Sequence, residues 1–326
     1  MYKKITELLP FQHPRRDTRS LPKVSLVVVV YDMVAQAEKT IASMLPEYQL
    51  DVSLSDYEVI IVENESPNVM LREFLDTLPE NFHYYLRKNA EVSPGPAVNF
   101  GADRARGENI CVLIDGARML TPGVIKNIIL GHRLSDKSVV SISGYHLGDK
   151  LQQEAVDSGY GYETERELLA SIRWPEDGYR LFEVSCLNAS TRQGFFMPIS
   201  ESNCISIPRH MWEHMNGFDA RFDLRGGGLI NLDFYKRACE YPGAQHVILP
   251  GEGTFHQFHG GVTTGGQDTV ARSAYIEASY EQYRQLKGTE YSCPDTRPLY
   301  LGEMPAQAQR FMAFSARMAI DSGELQ

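Results

Sequence analysis

Residues 107–123 read GENICVLIDGARMLTPG, and the fold is decided there. Ile110-Cys111-Val112-Leu113-Ile114 is an unbroken apolar run closed by Asp115 and Gly116. Five apolar residues between turn formers predict a strand buried on both faces, as in the middle of a parallel sheet. A carboxylate just past such a strand lies at the carboxyl edge of the sheet, where open α/β sheets bind ligands. The plainer alternative is that Asp115 caps a turn. Thr121-Pro122-Gly123 then predicts a helix start, with Thr as N-cap and Pro at the first helical position.

Upstream, strand and helix alternate. Residues 24–32 form a β-branched strand, followed by helical spacing of Val34, Ala37, Ile41, Met44 and Leu45. A second strand, 57–62, ends in Glu63-Asn64-Glu65-Ser66-Pro67. A helix (69–78), a third strand (82–86), an irregular stretch (87–96) and a helix (97–106) lead into the central strand. This repetition predicts a parallel, doubly wound sheet. Polar groups stand at three strand ends: Tyr31-Asp32, Glu63-Asn64 and Asp115. Each alone is commonly a helix cap, but three on one edge make a crevice able to hydrogen-bond a base edge and ribose hydroxyls. No G-x-G-x-x-G follows the first strand and no G-x-x-x-x-G-K-[ST] occurs, which argues against dinucleotide and P-loop sites.

Downstream, residues 139–143 continue the sheet. Residues 148–181, with a helix at 164–172, form an excursion that either lines an acceptor site or decorates the surface. A short strand at Cys204–Pro208 precedes Asn216-Gly217-Phe218-Asp219 and a segment, 226–237, in which Asp233 and Arg237 lie one helical turn apart. After a strand at 246–249, His256 and His259 stand three apart among glycines. Thr263-Thr264-Gly265-Gly266 reads as a loop that lids the site. Helices at 270–287 and 306–320 end the chain, the second with a Met- and Phe-bearing face of the kind that usually joins a core.

Composition narrows the classes. The chain has 326 residues, 43% hydrophobic, ample for a sizeable core. At ~150 residues per domain the prior is two domains, although large single α/β domains are common. A net charge of −10 disfavours nucleic acid as a partner, since phosphate contacts need a basic face. Five cysteines (Cys111, Cys186, Cys204, Cys239 and Cys293) are odd in number and scattered, which suits reduced thiols in the cytoplasm. The first 22 residues read as a polar, Pro-containing tail without a signal-peptide core, and no run approaches the ~18 apolar residues that cross a bilayer.

Residues 24–32, Glu63-Asn64-Glu65-Ser66, Asn89, Asn99-x-Gly101, Ala105-x-Gly107-Glu108 and Ile114-Asp115 together resemble glycosyltransferase family 2 and its GT-A fold. The resemblance covers about residues 22–125 well and continues loosely to about 265. It implies an α/β domain with a mostly parallel sheet flanked by helices, followed by a C-terminal helical extension. The chain then divides into a tail (1–22), a GT-A-like domain (23–265) and a C-terminal lid and helical extension (266–326). Within the domain, 23–125 is the nucleotide-binding part and 126–265 the acceptor and metal part. The implied activity is transfer of a sugar from a nucleoside-diphosphate sugar to a glycan or other acceptor hydroxyl, in glycan or polysaccharide biosynthesis. By the same resemblance Tyr31, Asp32 and Glu63 hold the base, Asp115 faces the ribose and diphosphate, and Asn64, Asn99 and Gly116 belong to the donor site.

The chain departs from that pattern in two places. The second acid of the family's Asp-x-Asp, usually a direct metal ligand, is Ala117, followed by Arg118. A leaving diphosphate needs its charge neutralised by a divalent cation or by fixed cationic side chains. Arg118 either supplies part of that charge through its forked guanidinium or is a solvated turn residue. In metal-dependent relatives a histidine at this distance completes the metal site, so the resemblance assigns His256, with Asp115, to Mn²⁺ or Mg²⁺. His259 is its substitute or a donor to the diphosphate. The family's base falls at Asn231, whose amide does not accept a proton at neutral pH. Retaining GT-A enzymes that transfer N-acetylgalactosamine to proteins carry Gly-Gly-Glu-Asn-Leu-Glu here, which Asn231-Leu232-Asp233 resembles. Asp233 is therefore a candidate base or sugar ligand, or one half of an Asp–Arg pair fastening the helix. Two other readings are an inactive sugar-nucleotide-binding scaffold and a nucleotidyltransferase. The latter needs a Gly-rich basic loop after the first strand, which Tyr31-Asp32-Met33-Val34 does not provide.

Overall fold

Strand β1 (Val24–Val30) is buried along its whole length. Val27 and Val29 face a core that holds Val98, Trp212 and Phe234, while Leu26, Val28 and Val30 face another that holds Ile41, Val124 and Ile125. A strand covered on both faces has no polar side to alternate with, hence the run of valines. β1 pairs in parallel with β2 (Tyr57–Asn64) and β4 (Asn109–Leu113), and β2 with β3 (Phe82–Arg87). β8 (Cys204–Pro208) runs antiparallel between β4 and β6 (Ser138–Leu147), and β6 pairs in parallel with β9 (Gln245–His256). With β10 (Leu299–Tyr300) at the edge, the order is β10-β9-β6-β8-β4-β1-β2-β3. Two short strands branch off it: β5 (Arg118–Leu120) pairs with β9, and β7 (Ser185–Leu187) with β6. The computed structural model describes residues 21–259 and 269–323, so tail residues 1–20 and the loop reading at 263–266 lie outside the described residues.

The helices Val34–Ala42 and Val124–His132 cover one face of the sheet, and Gly95–Ala102, Arg209–Met215 and Ile230–Cys239 the other. On that second face Phe218 stacks on Phe234 with ring centroids 4.3 Å apart. A third apolar cluster gathers Tyr145, Phe182, Phe255 and Phe311 under the C-terminal helix Gln309–Ser322. The fold class is therefore the expected one, a mostly parallel α/β sheet between helices. Among the described residues, no helix is long and apolar enough to cross a membrane.

Three local expectations change. The helix after the central strand begins at Val124 with Gly123 before it, because the Thr121 hydroxyl is committed elsewhere, donating to Glu252 and accepting from the Gly253 amide. Residues 118–120 form β5 rather than a turn. β9 runs on to His256, seven residues past Leu249, because a register shift in β6 between Ile142 and Ser143 lets the pairing resume beyond Pro250-Gly251.

Candidate active site

Asp115 follows β4 at the carboxyl edge of the sheet, and its Oδ1 accepts the Ala117 amide at 2.9 Å. That short turn sends the chain back as β5, whose antiparallel register on β9 sets Arg118 opposite His256. On the other side of β9, His146 of β6 is the register partner of His256. The strand end is then pinned: the Gln257 amide donates to Ala117 O at 2.8 Å, and Gln36 of the first helix donates to Phe258 O at 2.7 Å. Asp115, His256 and His259 meet in consequence. Each offers one ligand atom, and these atoms lie within 4.8 Å of one another.

The protonation pattern of this cluster follows from its partners. Gln152 Nε2 donates to His256 O at 3.0 Å, which turns its Oε1 toward His256 Nδ1 at 2.6 Å. The Nδ1 proton is thereby fixed, and the Nε2 lone pair points inward. Nε2 lies 3.0 Å from Asp115 Oδ2 and 3.0 Å from His259 Nε2. A lone pair facing a carboxylate oxygen repels unless a proton or a cation lies between them. Burial acts to raise the Asp115 carboxyl, yet the two imidazoles hold it well below the usual range. Burial and the Arg118 charge push His256 down to about 4 against the pull of Asp115. For His259 burial also opposes the charge, but Asp115 outweighs it and the pKa rises. One carboxylate and two imidazoles form a group that could hold a divalent cation, and two nitrogen donors suit Mn²⁺ better than the oxygen-preferring Mg²⁺.

Arg118 is 7% exposed, so it is not a solvated turn residue. Its Nε is 3.7 Å from Asp115 Oδ2, and neither Nε nor Nη1 has a hydrogen-bond partner. Burial opposes its charge, while Asp115 and Glu201 favour it. A buried guanidinium with unmet donors is a ready partner for an anion.

The other expected site residues separate. Asp32, held at φ 52° and bonded through Oδ1 to Asn68 Nδ2 at 2.9 Å, lines a cleft of about 660 Å³ with Val34, Glu38, Asn68, Leu71 and Tyr162. Tyr31 is 49% exposed. Gly116 is buried against β1, where an added Cβ would meet Val29 O at 2.9 Å. Glu63 is fully buried, and its carboxylate accepts the Tyr84 hydroxyl at 2.6 Å and the Met70 amide at 3.0 Å. Asn64 is likewise turned inward to Arg87, and both ends of the Asn99 amide are used on the Phe218 backbone. Asp233 forms the Asp–Arg pair of the alternative reading, with Arg237 at 2.7 Å and Lys287 at 2.8 Å on its two oxygens. Asn231 donates to Glu201 Oε2 at 2.6 Å and to Ser202 O at 3.2 Å.

Sequence reasoning missed Gln152, Glu165 and Glu201. The excursion at 148–181 braces the cluster: Gln152 sets the His256 ring, and Glu165, pushed up to about 7 by burial, accepts the Phe258 amide. These partners lie about a hundred residues apart, and no local pattern marks them.

Residues 25–197, more than half the chain, match the profile of glycosyl transferase family 2. The chain belongs to that family. It is thus a glycosyltransferase, and the solved structures similar to it are of the same kind. GalNAc-T7 with UDP, GalNAc and Mn²⁺ is similar at TM-score 0.51 and 13% identity, over 80% of this chain and 48% of that one. The mannosyltransferase PcManGT from Pyrobaculum calidifontis in complex with GDP-Man and Mn²⁺ gives TM-score 0.47 and 13% identity, over 92% of this chain and 70% of that one. S. aureus TarS 1-349 in complex with UDP-GlcNAc gives 0.48 and 11%, over 92% and 73%. At these identities the likeness concerns the fold of the family 2 glycosyltransferase. No curated protein matches it.

Proposed function

We propose that this glycosyltransferase moves a sugar from a nucleoside-diphosphate donor to a hydroxyl acceptor of the glycan type. The nucleotide lies along the edge made by β1, β2 and β4, with the base toward the Asp32 cleft and the diphosphate toward Asp115 and Arg118. The observation that carries this reading is the convergence of Asp115, His256 and His259 beside a buried arginine with unmet donors. The UDP, GalNAc and Mn²⁺ of the similar GalNAc-T7 structure support the same choice of substrate and ion. Asp115, His256 and His259 would hold the ion, whose chemistry when bound is to neutralise the diphosphate's growing charge. Arg118 would add a fixed positive charge on the same side. Aligning donor and acceptor supplies much of the rest, worth ~7–11 kcal/mol for well-oriented partners. The division into a donor part (23–125), an acceptor and metal part (126–265) and a C-terminal extension belongs to this proposal.

Thermal shift with UDP and GDP, each with and without Mn²⁺, tests it. A nucleotide at about 100 times its Kd stabilises by about 2.7 kcal/mol, a shift of a few degrees. Asp115→Ala and His259→Ala are each expected to abolish the Mn²⁺-dependent part of that shift. A full shift in both variants would move the donor site elsewhere.

A further inference from the structure

Transfer to a hydroxyl needs a group that takes its proton, and the carboxylates at this edge are few. Asp115 is engaged by the two histidines, and Asp233 by Arg237 and Lys287. Glu63 accepts from Tyr84 and Met70, and Glu165 from the Phe258 amide and Tyr160. Glu201 remains. It lies three residues before Cys204, which is the register partner of Leu113 in antiparallel β8. The start of β8 and the end of β4 therefore reach the same edge, and Glu201 emerges beside the segment that carries Asp115. Its half-buried carboxylate receives only the Asn231 amide, through Oε2 at 2.6 Å; Oε1 has no partner among the described residues. Asn231 stands in the first turn of Ile230–Cys239 and is itself anchored on Ser202 O. An acid at 231 would repel Glu201, whereas an amide orients it and leaves one oxygen free.

We propose that Glu201, oriented by Asn231, is the general base that deprotonates the acceptor hydroxyl. This rests on the donor-site reading above. The acceptor oxygen forms a bond to the sugar C1 as its proton passes to the Glu201 carboxylate. The bond from C1 to the phosphate oxygen breaks, and the nucleoside diphosphate leaves with the electron pair. Arg118, 3.7 Å from Asp115, is within electrostatic reach of both carboxylates, and each favours its charge.

The test compares wild type with Glu201→Gln and Glu201→Ala. Nucleoside-diphosphate release is measured from a panel of UDP- and GDP-sugars with Mn²⁺, water acting as acceptor. Binding of UDP or GDP with Mn²⁺ is measured by calorimetry on the same samples. Both variants are expected to release nucleotide at least ~10²-fold more slowly while nucleotide affinity stays within about twofold, which also reports an intact fold. Release within about tenfold of wild type, or affinity falling in step with rate, overturns the assignment. A wild type that binds no nucleotide at all fails earlier, at the donor site, and takes the base assignment with it.

Discussion

Asp233 illustrates how partners decide what a carboxylate does. It is 2% exposed, its Oδ2 is 2.7 Å from Arg237 Nε, and its Oδ1 is 2.8 Å from Lys287 Nζ. Arg237 also reaches Gly217 O at 2.9 Å, so the group ties Ile230–Cys239 to the loop before it and to the end of Thr269–Lys287. Asp233→Asn takes from Arg237 its carboxylate partner and from Lys287 one of two, since Asp219 stays 2.9 Å from the Lys287 ammonium. Such losses cost roughly 3–5 kcal/mol in full burial, and the partial exposure of both cations reduces this to roughly 2–4. Urea denaturation is expected to show that loss while turnover per folded molecule is kept. Lost turnover at unchanged stability would return Asp233 to the chemistry. The same logic separates Asp115, whose neighbours are two imidazoles that can share a cation, from Glu63, whose neighbours are a phenol and an amide that cannot.

At the scale of elements, close approach of helix and sheet holds the site edge in place. Gly95–Ala102 lies flat on β1 and β2, and a Cβ at Gly101 would sit 2.5 Å from Val27 Cγ1 and 3.0 Å from Val62 Cγ2. Gly101→Ala gains about 1 kcal/mol of helix propensity but overpacks, at a cost of about 1–3 kcal/mol. Thermal denaturation is expected to show a net loss, and a raised Tm would mean the helix can lift from the sheet freely. The strands and helices of residues 24–132 were legible because their apolar periods are long and their ends punctuated. Asp115 and His256 were legible as a pair through the family pattern alone. β5 was not, since three residues after an Asp-Gly give no period and β5 forms only because β9 offers an edge. The supports of the cluster, Gln152 and Glu165, and the pairing of Glu201 with Asn231 depend on packing across long stretches of chain. The polar character of Asn99 and Asn64 was visible, but the inward direction of those side chains was not, for direction depends on what a neighbouring strand leaves unsatisfied.

For the molecule as a whole, burying histidines makes stability depend on pH. His146 is 6% exposed and accepts the Gln152 amide at 2.9 Å; His246 is 4% exposed, with Ser141 Oγ at 2.9 Å and Thr296 Oγ1 at 3.0 Å. Burial, aided at His146 by the charges of His256 and Arg118, pushes His146 down to about 2; burial alone pushes His246 down to about 4. In the unfolded chain both protonate near 6.5. Below that pH the unfolded state binds protons that the folded state refuses, so stability falls as pH drops, until each folded pKa is reached. Each group contributes up to about 1.4 kcal/mol per pH unit, so the pair removes on the order of 3 kcal/mol per unit below pH 6. Glu165, pushed up to about 7 by burial, opposes part of that loss, because in the folded state it takes up a proton that the unfolded chain does not. Chemical denaturation at pH 7.5, 6 and 5 is expected to show this slope, and His246→Gln, which has no proton to take up, is expected to make it shallower. A slope left unchanged in His246→Gln would mean that water reaches that imidazole and that the β6–β9 half of the sheet opens more readily than its burial implies.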